Sequence, residues 1–249
     1  MTPQRITPQA VAKAQSSRRP RVSASPNPAE LLSLKHGFAR VARDVCPDYE
    51  FLERFRNQYN ALLLWCIEAP GPLDPAKGLW LYGNIGSGKT LLLQIIREFC
   101  RRYHPQVETS DRLRVNPLEP YTFGFVTAKN ACAAYAANNV AGLAQFSEIP
   151  RLAIDEIGDE TIPTGCYGTP LNVIQDILKS RYDIFVATRR HTHATSNLSI
   201  GDADNLRAFG YPATMAGENQ VVQLYGERVW DRARQMFNFV PLLGPSMRK

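Results

Sequence analysis

Residues Gly83-Asn84-Ile85-Gly86-Ser87-Gly88-Lys89-Thr90 match G-x-x-x-x-G-K-T in every fixed position. Glycines at 83, 86 and 88 let a backbone wrap with its N–H groups turned inward. A lysine at 89 reaches the β and γ phosphates, and a hydroxyl at 90 ligates Mg²⁺. Such a loop needs acidic groups to hold the metal's water shell and activate the attacking water. Asp155-Glu156 follows the apolar run Leu152-Ala153-Ile154 and supplies them. Asp155 is expected to hold Mg²⁺ through water, and Glu156 to polarise the nucleophilic water. No N-K-x-D sequence for reading guanine is present, so the expected nucleotide is ATP.

These groups must be delivered by alternating strands and helices. Leu79 to Tyr82 is a short apolar run leading into the loop, and Leu91, Leu92, Ile95, Ile96 and Phe99 follow it at helical spacing. Further strands are predicted at Tyr121 to Val126, at Arg151 to Ile154 ending in the two acids, at Thr192 to Ser196 and at Phe237 to Leu242. Helices are predicted at Asp48 to Glu68, Thr127 to Asn139, Leu171 to Tyr182 and Tyr225 to Met236. A parallel sheet covered on both faces follows, with the acids at a strand's carboxyl end, where open α/β sheets bind ligands. The paired Asp-Glu favours an additional-strand ATPase over a small GTPase.

Composition bounds the rest. A chain of 249 residues, 44% hydrophobic, holds one α/β domain and a modest extension. The five cysteines are scattered and never spaced C-x-x-C, which fits reduced thiols in a cytoplasmic protein. His191 and His193 share a strand face without metal-spaced partners and read as a polar strand end. No apolar run approaches the roughly 18 residues of a membrane span. The net charge of +6 is concentrated in residues 1–43, where Arg5, Lys13, Arg18, Arg19, Arg21, Lys35, Arg40 and Arg43 face one acid, Glu30. Residues 1–28, rich in Pro, Ser, Gln and Arg, are expected to be a disordered basic arm able to seek anions. Residues 29–72 then form a helical extension and residues 73–249 the nucleotide-binding domain.

The C-terminal third carries more. Thr195-Ser196-Asn197-Leu198, then Tyr225-Gly226-Glu227-Arg228-Val229-Trp230-Asp231-Arg232, and finally Met236-Phe237-Asn238-Phe239 resemble the DnaC/IstB-like branch of the AAA+ ATPases. The resemblance covers about residues 50–249. It implies a three-layer α/β sandwich around a mainly parallel five-stranded sheet, without a full helical lid. By position, Asn197 resembles the sensor 1 residue that orients the attacking water, and Arg248 the sensor 2 residue. Arg232 resembles the arginine finger that serves a neighbouring subunit's nucleotide, with Arg228 and Arg234 close enough to take that part. The segment 198–224 is longer than the resemblance leads one to expect and reads either as a surface insertion or as a family-specific partner or DNA contact.

The leading function so implied is a helicase loader, an ATP hydrolase that grips a replicative hexameric helicase and assembles as a homo-oligomer on single-stranded DNA. Phe123, Phe125, Lys129 and Tyr135 are candidate strand contacts, although Phe123 and Phe125 also alternate as core residues do. An IstB-like transposition helper would carry the same catalytic module. An ATP-switched scaffold with little turnover is disfavoured by the intact Glu156.

Overall fold

The computed structural model describes residues 25–103, 121–166 and 168–247. The arm 1–24, the Pro-rich connection 105–120 and Arg248 lie outside these residues.

The first helix, α1 (Pro28–Val45), opens on a reciprocal cap. Asn27 Oδ1 accepts from Glu30 N at 2.9 Å, Glu30 Oε2 accepts from Asn27 N at 2.9 Å, and proline occupies the first turn. Its buried face carries Leu34, Phe38 and Val41. At Gly37 a side chain would collide with the Tyr103 hydroxyl, 2.9 Å from where its Cβ would stand. The helix expected over Asp48 to Glu68 starts later, as a 3-10 turn at Glu53–Phe55 followed by α2 (Arg56–Cys66). Before it, Phe51 and Tyr59 meet edge to face at 5.0 Å, as do Tyr49 and Phe51, and this aromatic packing holds the lead-in extended rather than helical.

Then come β1 (Gly78–Tyr82), α3 (Lys89–Tyr103), β2 (Gly124–Thr127), α4 (Ala128–Asn138), α5 (Ala141–Glu148) and β3 (Leu152–Ile157). A small hairpin, β4 (Thr164–Cys166) and β5 (Thr169–Leu171), precedes α6 (Val173–Thr188) and β6 (Thr192–Ser196). The chain closes with α7 (Ala203–Ala208), a 3-10 turn, α8 (Gln220–Tyr225), α9 (Glu227–Met236) and β7 (Phe237–Pro241). Five strands form one all-parallel sheet in the order β2-β3-β6-β1-β7. Thus β6 lies between the strand that feeds the phosphate loop and the strand that carries the acids. This is the additional-strand arrangement expected from the sequence.

Alternate residues of β1 enter opposite cores. Leu79 and Leu81 pack with α1, α2 and α3, whereas Trp80 and Tyr82 pack with α4, α5, α6, α8 and α9. Helices therefore cover both faces, giving three layers, and residues 28–72 share a core with the loop helix. Arg181 of α6, fully buried, fastens that layer to the base of β3 and β6 through Ile149 O at 2.7 Å, Thr192 Oγ1 at 2.9 Å and His191 O at 3.2 Å. Burial pushes its pKa down to about 10.

Several expectations need correction. The acid strand does not end in Asp155-Glu156 but runs on to Ile157. His191 and His193 are not a polar strand end. Both are buried, with Trp65 within 5.8 and 5.6 Å and the Tyr121 hydroxyl bridging their ring nitrogens. The 198–224 segment is folded, placing Leu206 in one core and Phe209 in the other. Phe123 is a core residue, as its alternation with Phe125 led one to expect; of the other candidate strand contacts Tyr135 is buried and unable to stack on bases, and Lys129 is exposed, paired with Asp159 at 2.6 Å. Among the described residues no helix is long and apolar enough to cross a membrane.

Candidate nucleotide site

The loop leaves β1 after Tyr82 and becomes helix at Lys89. Gly83, Gly86 and Gly88 stand at φ 143°, 76° and 84°, backbone shapes that side-chain-bearing residues adopt only with strain. Ser87 N–H donates to Asn84 O at 3.2 Å and closes a turn around the hollow. The Lys89 ammonium lies across that hollow, donating to Gly83 O at 2.9 Å, Asn84 O at 2.8 Å and Asn197 Oδ1 at 2.8 Å. Three N–H donors thus meet three oxygens, with only 8% of the residue exposed.

The acids are aimed by a defect in β3. Its register with β6 shifts between Ile154 and Ile157, and within that bulge Glu156 adopts φ 60°. A bulge re-aims a side chain, and the left-handed backbone of a non-glycine residue costs on the order of 1 kcal/mol. The result separates two adjacent carboxylates. Asp155 stays buried and Glu156 turns out into the cleft. Asp155 Oδ1 accepts from Thr90 Oγ1 at 2.9 Å and also from Thr195 Oγ1. That same Thr195 hydroxyl oxygen accepts from Glu156 N at 2.9 Å. One threonine therefore fixes the side chain of the first acid and the backbone of the second. The sequence alone assigns Thr195 no role. The available signal was its place at the carboxyl end of a strand, two residues before Asn197.

Around these groups lies a cleft of about 960 Å³ at the carboxyl end of the sheet. Gly86, Gly88, Lys89, Thr90, Glu156, Thr195 and Asn197 line one part of it. Residues 46–50, Leu52, Arg54, Ser246 and Met247 line another part, and none of these was expected there from the sequence. Of the expected residues, the loop, the acids and Asn197 converge. Arg232 does not join them: it projects from α9 with its guanidinium 5.1 Å from the Tyr182 ring centre. Nor is it held by Asp231, which pairs with Arg234 at 3.1 Å. Among the described residues no cluster of three His, Cys, Asp or Glu side chains suits a metal ion.

The sheet order and this loop define the class of fold, an α/β P-loop-like domain with a strand inserted between the loop strand and the acid strand. No family model matches the sequence, and no curated protein does. Among solved structures the chain is similar to the DnaC helicase loader, at 14% identity and a TM-score of 0.49, over 79% of this chain and 94% of that one. It is also similar to DnaI, at 20% identity and a TM-score of 0.41, over 97% of this chain and 94% of that one. A third is the replication initiator DnaA bound to AMPPCP and single-stranded DNA, at 14% identity and a TM-score of 0.43, over 78% of this chain and 48% of that one.

Proposed function

We propose that the chain is a Mg²⁺-dependent ATPase of the AAA+ type that acts as a replicative helicase loader, assembling as a homo-oligomer on single-stranded DNA. The observation that carries the ATPase reading is the convergence of Lys89, Asn197, Thr90 and Asp155 through direct hydrogen bonds, with Glu156 facing the same cleft. Arriving phosphates offer the Lys89 ammonium stronger, charged acceptors than the two carbonyls it now holds. The Thr90 hydroxyl and Asp155 carboxylate are hard oxygen donors at 2.9 Å, a small set that suits Mg²⁺, which keeps most of its shell as water and phosphate. When bound, that ion neutralises charge on the β and γ phosphates. Glu156 takes the proton of the attacking water, and Asn197 orients that water.

The loader reading rests on the sequence resemblance around Asn197 and Arg232, and the position of Arg232 outside its own cleft suits a finger offered to a neighbour. The N-terminal arm and extension are assigned to the helicase. The test mixes the purified protein with its host's replicative hexameric helicase, ATP and single-stranded DNA. Complex formation at micromolar concentration is the expected result. Its absence overturns the loader, and stimulation by a transposase instead identifies a transposition helper.

A further inference from the structure

Residues 242–247 leave β7 and run against the phosphate loop as a strap whose last residues, Ser246 and Met247, also line the cleft. Leu242 N–H donates to Tyr82 O at 2.7 Å, and Met247 N–H donates to Gly86 O at 2.8 Å. Between these anchors the strap lies against bare glycine. A Cβ on Gly83 would stand 2.3 Å from Leu242 O, one on Gly86 2.2 Å from Ser246 Oγ, and one on Gly88 3.1 Å from Met247 Sδ. The glycines that give the loop its turn therefore also provide the surface on which the strap rests.

The Met247 bond fixes a peptide plane. Gly86 C=O and Ser87 N–H belong to one trans peptide and point in opposite directions. With the oxygen held by Met247, the N–H is directed to Asn84 O, and the turn that shapes the hollow is closed.

The strap has no helix or strand of its own to hold it, and its fixed points come from elsewhere. Tyr211, in the folded 198–224 segment, sets its hydroxyl 3.2 Å from Leu243 N and 3.3 Å from Leu243 O. Gln58 of α2, fully buried, donates to the same hydroxyl at 3.2 Å, and Arg54 donates to Pro245 O at 3.0 Å. Burial raises the pKa of Tyr211, so its hydroxyl remains a donor as well as an acceptor. The segment is tied to the loop strand a second time, since Tyr82 OH donates to Asn205 Oδ1 at 2.8 Å and Asn205 Nδ2 to Phe239 O at 2.9 Å.

We infer that Tyr211 is a positioning residue for nucleotide binding: its hydroxyl sets Leu243, Leu243 sets the strap, and the strap's Met247 N–H sets Gly86. This rests on reading the loop as an ATP site. It gives the 198–224 segment a role, the control of nucleotide affinity from outside the cleft.

Tyr211→Phe keeps the ring and removes the hydroxyl. The experiment reads KM and kcat for ATP together with amide exchange across residues 242–247. Losing these neutral hydrogen bonds is expected to raise KM roughly 5- to 10-fold, with kcat within about twofold and faster exchange in the strap. A change that only weakened the fold would reduce the active fraction, lowering kcat and leaving KM. Met247→Pro, which removes the strap's donor without touching Tyr211, is expected to raise KM in the same way. Because both act through one strap, the double variant should show less than the product of the two effects. An unchanged KM in Tyr211→Phe, or effects that multiply in the double variant, overturns the inference. A wild-type chain that binds no ATP overturns the nucleotide reading and this inference with it; wild-type binding with an unaltered Tyr211→Phe removes this inference alone.

Discussion

Asn197 Oδ1 accepts a hydrogen bond from Lys89 Nζ at 2.8 Å, joining the end of β6 to the first residue of the loop helix. The ammonium is thus held in the hollow before any phosphate arrives, and it is the only charge on the loop itself. Lys89→Ala is expected to lower ATP affinity by at least about 30-fold, the scale for losing one member of a close charge pair. Titration with a fluorescent ATP analogue reads it.

Thr195 gives its proton to Asp155 and accepts the N–H of Glu156. Thr195→Val retains the shape and loses both bonds. Residues that orient a metal's ligands are worth roughly 10- to 100-fold in metal affinity or activity. Hydrolysis is therefore expected to fall by that factor, with the Mg²⁺ concentration for half-maximal rate moving upward.

Glu156 extends into the cleft from a strained backbone, apart from the Thr90–Asp155 pair proposed to hold the metal. Glu156→Gln is expected to bind ATP as the wild type does while hydrolysis drops at least roughly 100-fold, the lower range for a general base. Hydrolysis at the wild-type rate would remove Glu156 from that role.

Arg232 rests on Tyr182 away from its own cleft. Arg232→Ala is expected to bind ATP normally and to turn over about 10³-fold more slowly or worse, the size associated with arginine fingers. Mixing it with Lys89→Ala, whose Arg232 is intact, should restore part of the activity in shared oligomers. No restoration in any mixture contradicts action on a neighbour.

His193 is buried, and its pKa is held well below the usual 6.5 first by that burial and then by the charges of His191, Arg151 and Arg181. Leu79 N–H donates to its Nδ1 at 3.2 Å, which leaves the proton of the neutral ring on Nε2, facing the Tyr121 hydroxyl at 3.0 Å. Below about pH 6.5 the unfolded chain binds a proton that the folded chain refuses. Stability is therefore full above that pH and declines beneath it, by up to about 1.4 kcal/mol per pH unit. Urea denaturation at pH 7.5 and 5.5 measures the slope, and His193→Gln should flatten it.

What the sequence made legible was local. The loop motif, the apolar run before Asp155 and the strand Thr192–Ser196 each declare themselves over fewer than ten residues. The cap at Asn27-Pro28-Ala29-Glu30 is equally local, yet it was passed over, with Asn27 and Pro28 counted in the disordered arm and the helix expected only as part of a broad extension. What escaped depends on partners distant in the chain. Thr195 becomes informative only beside Asp155, and Ser246 and Met247 only against Gly86 and Gly88. The bulge at Glu156 is a mismatch between two strands, which no single strand can announce. His193 looked polar because nothing nearby in sequence reveals Trp65, Phe123 and Tyr121 packed around it.

The interposed strand β6 has one more consequence. Loop and acids sit two strand spacings apart, and each spacing is a hydrogen-bonded ladder of about 4.8 Å. The gauge across the site is thus set by main chain, beyond the reach of any side-chain substitution. Evolution of this pocket is confined to retuning what fills a gap whose width it does not choose.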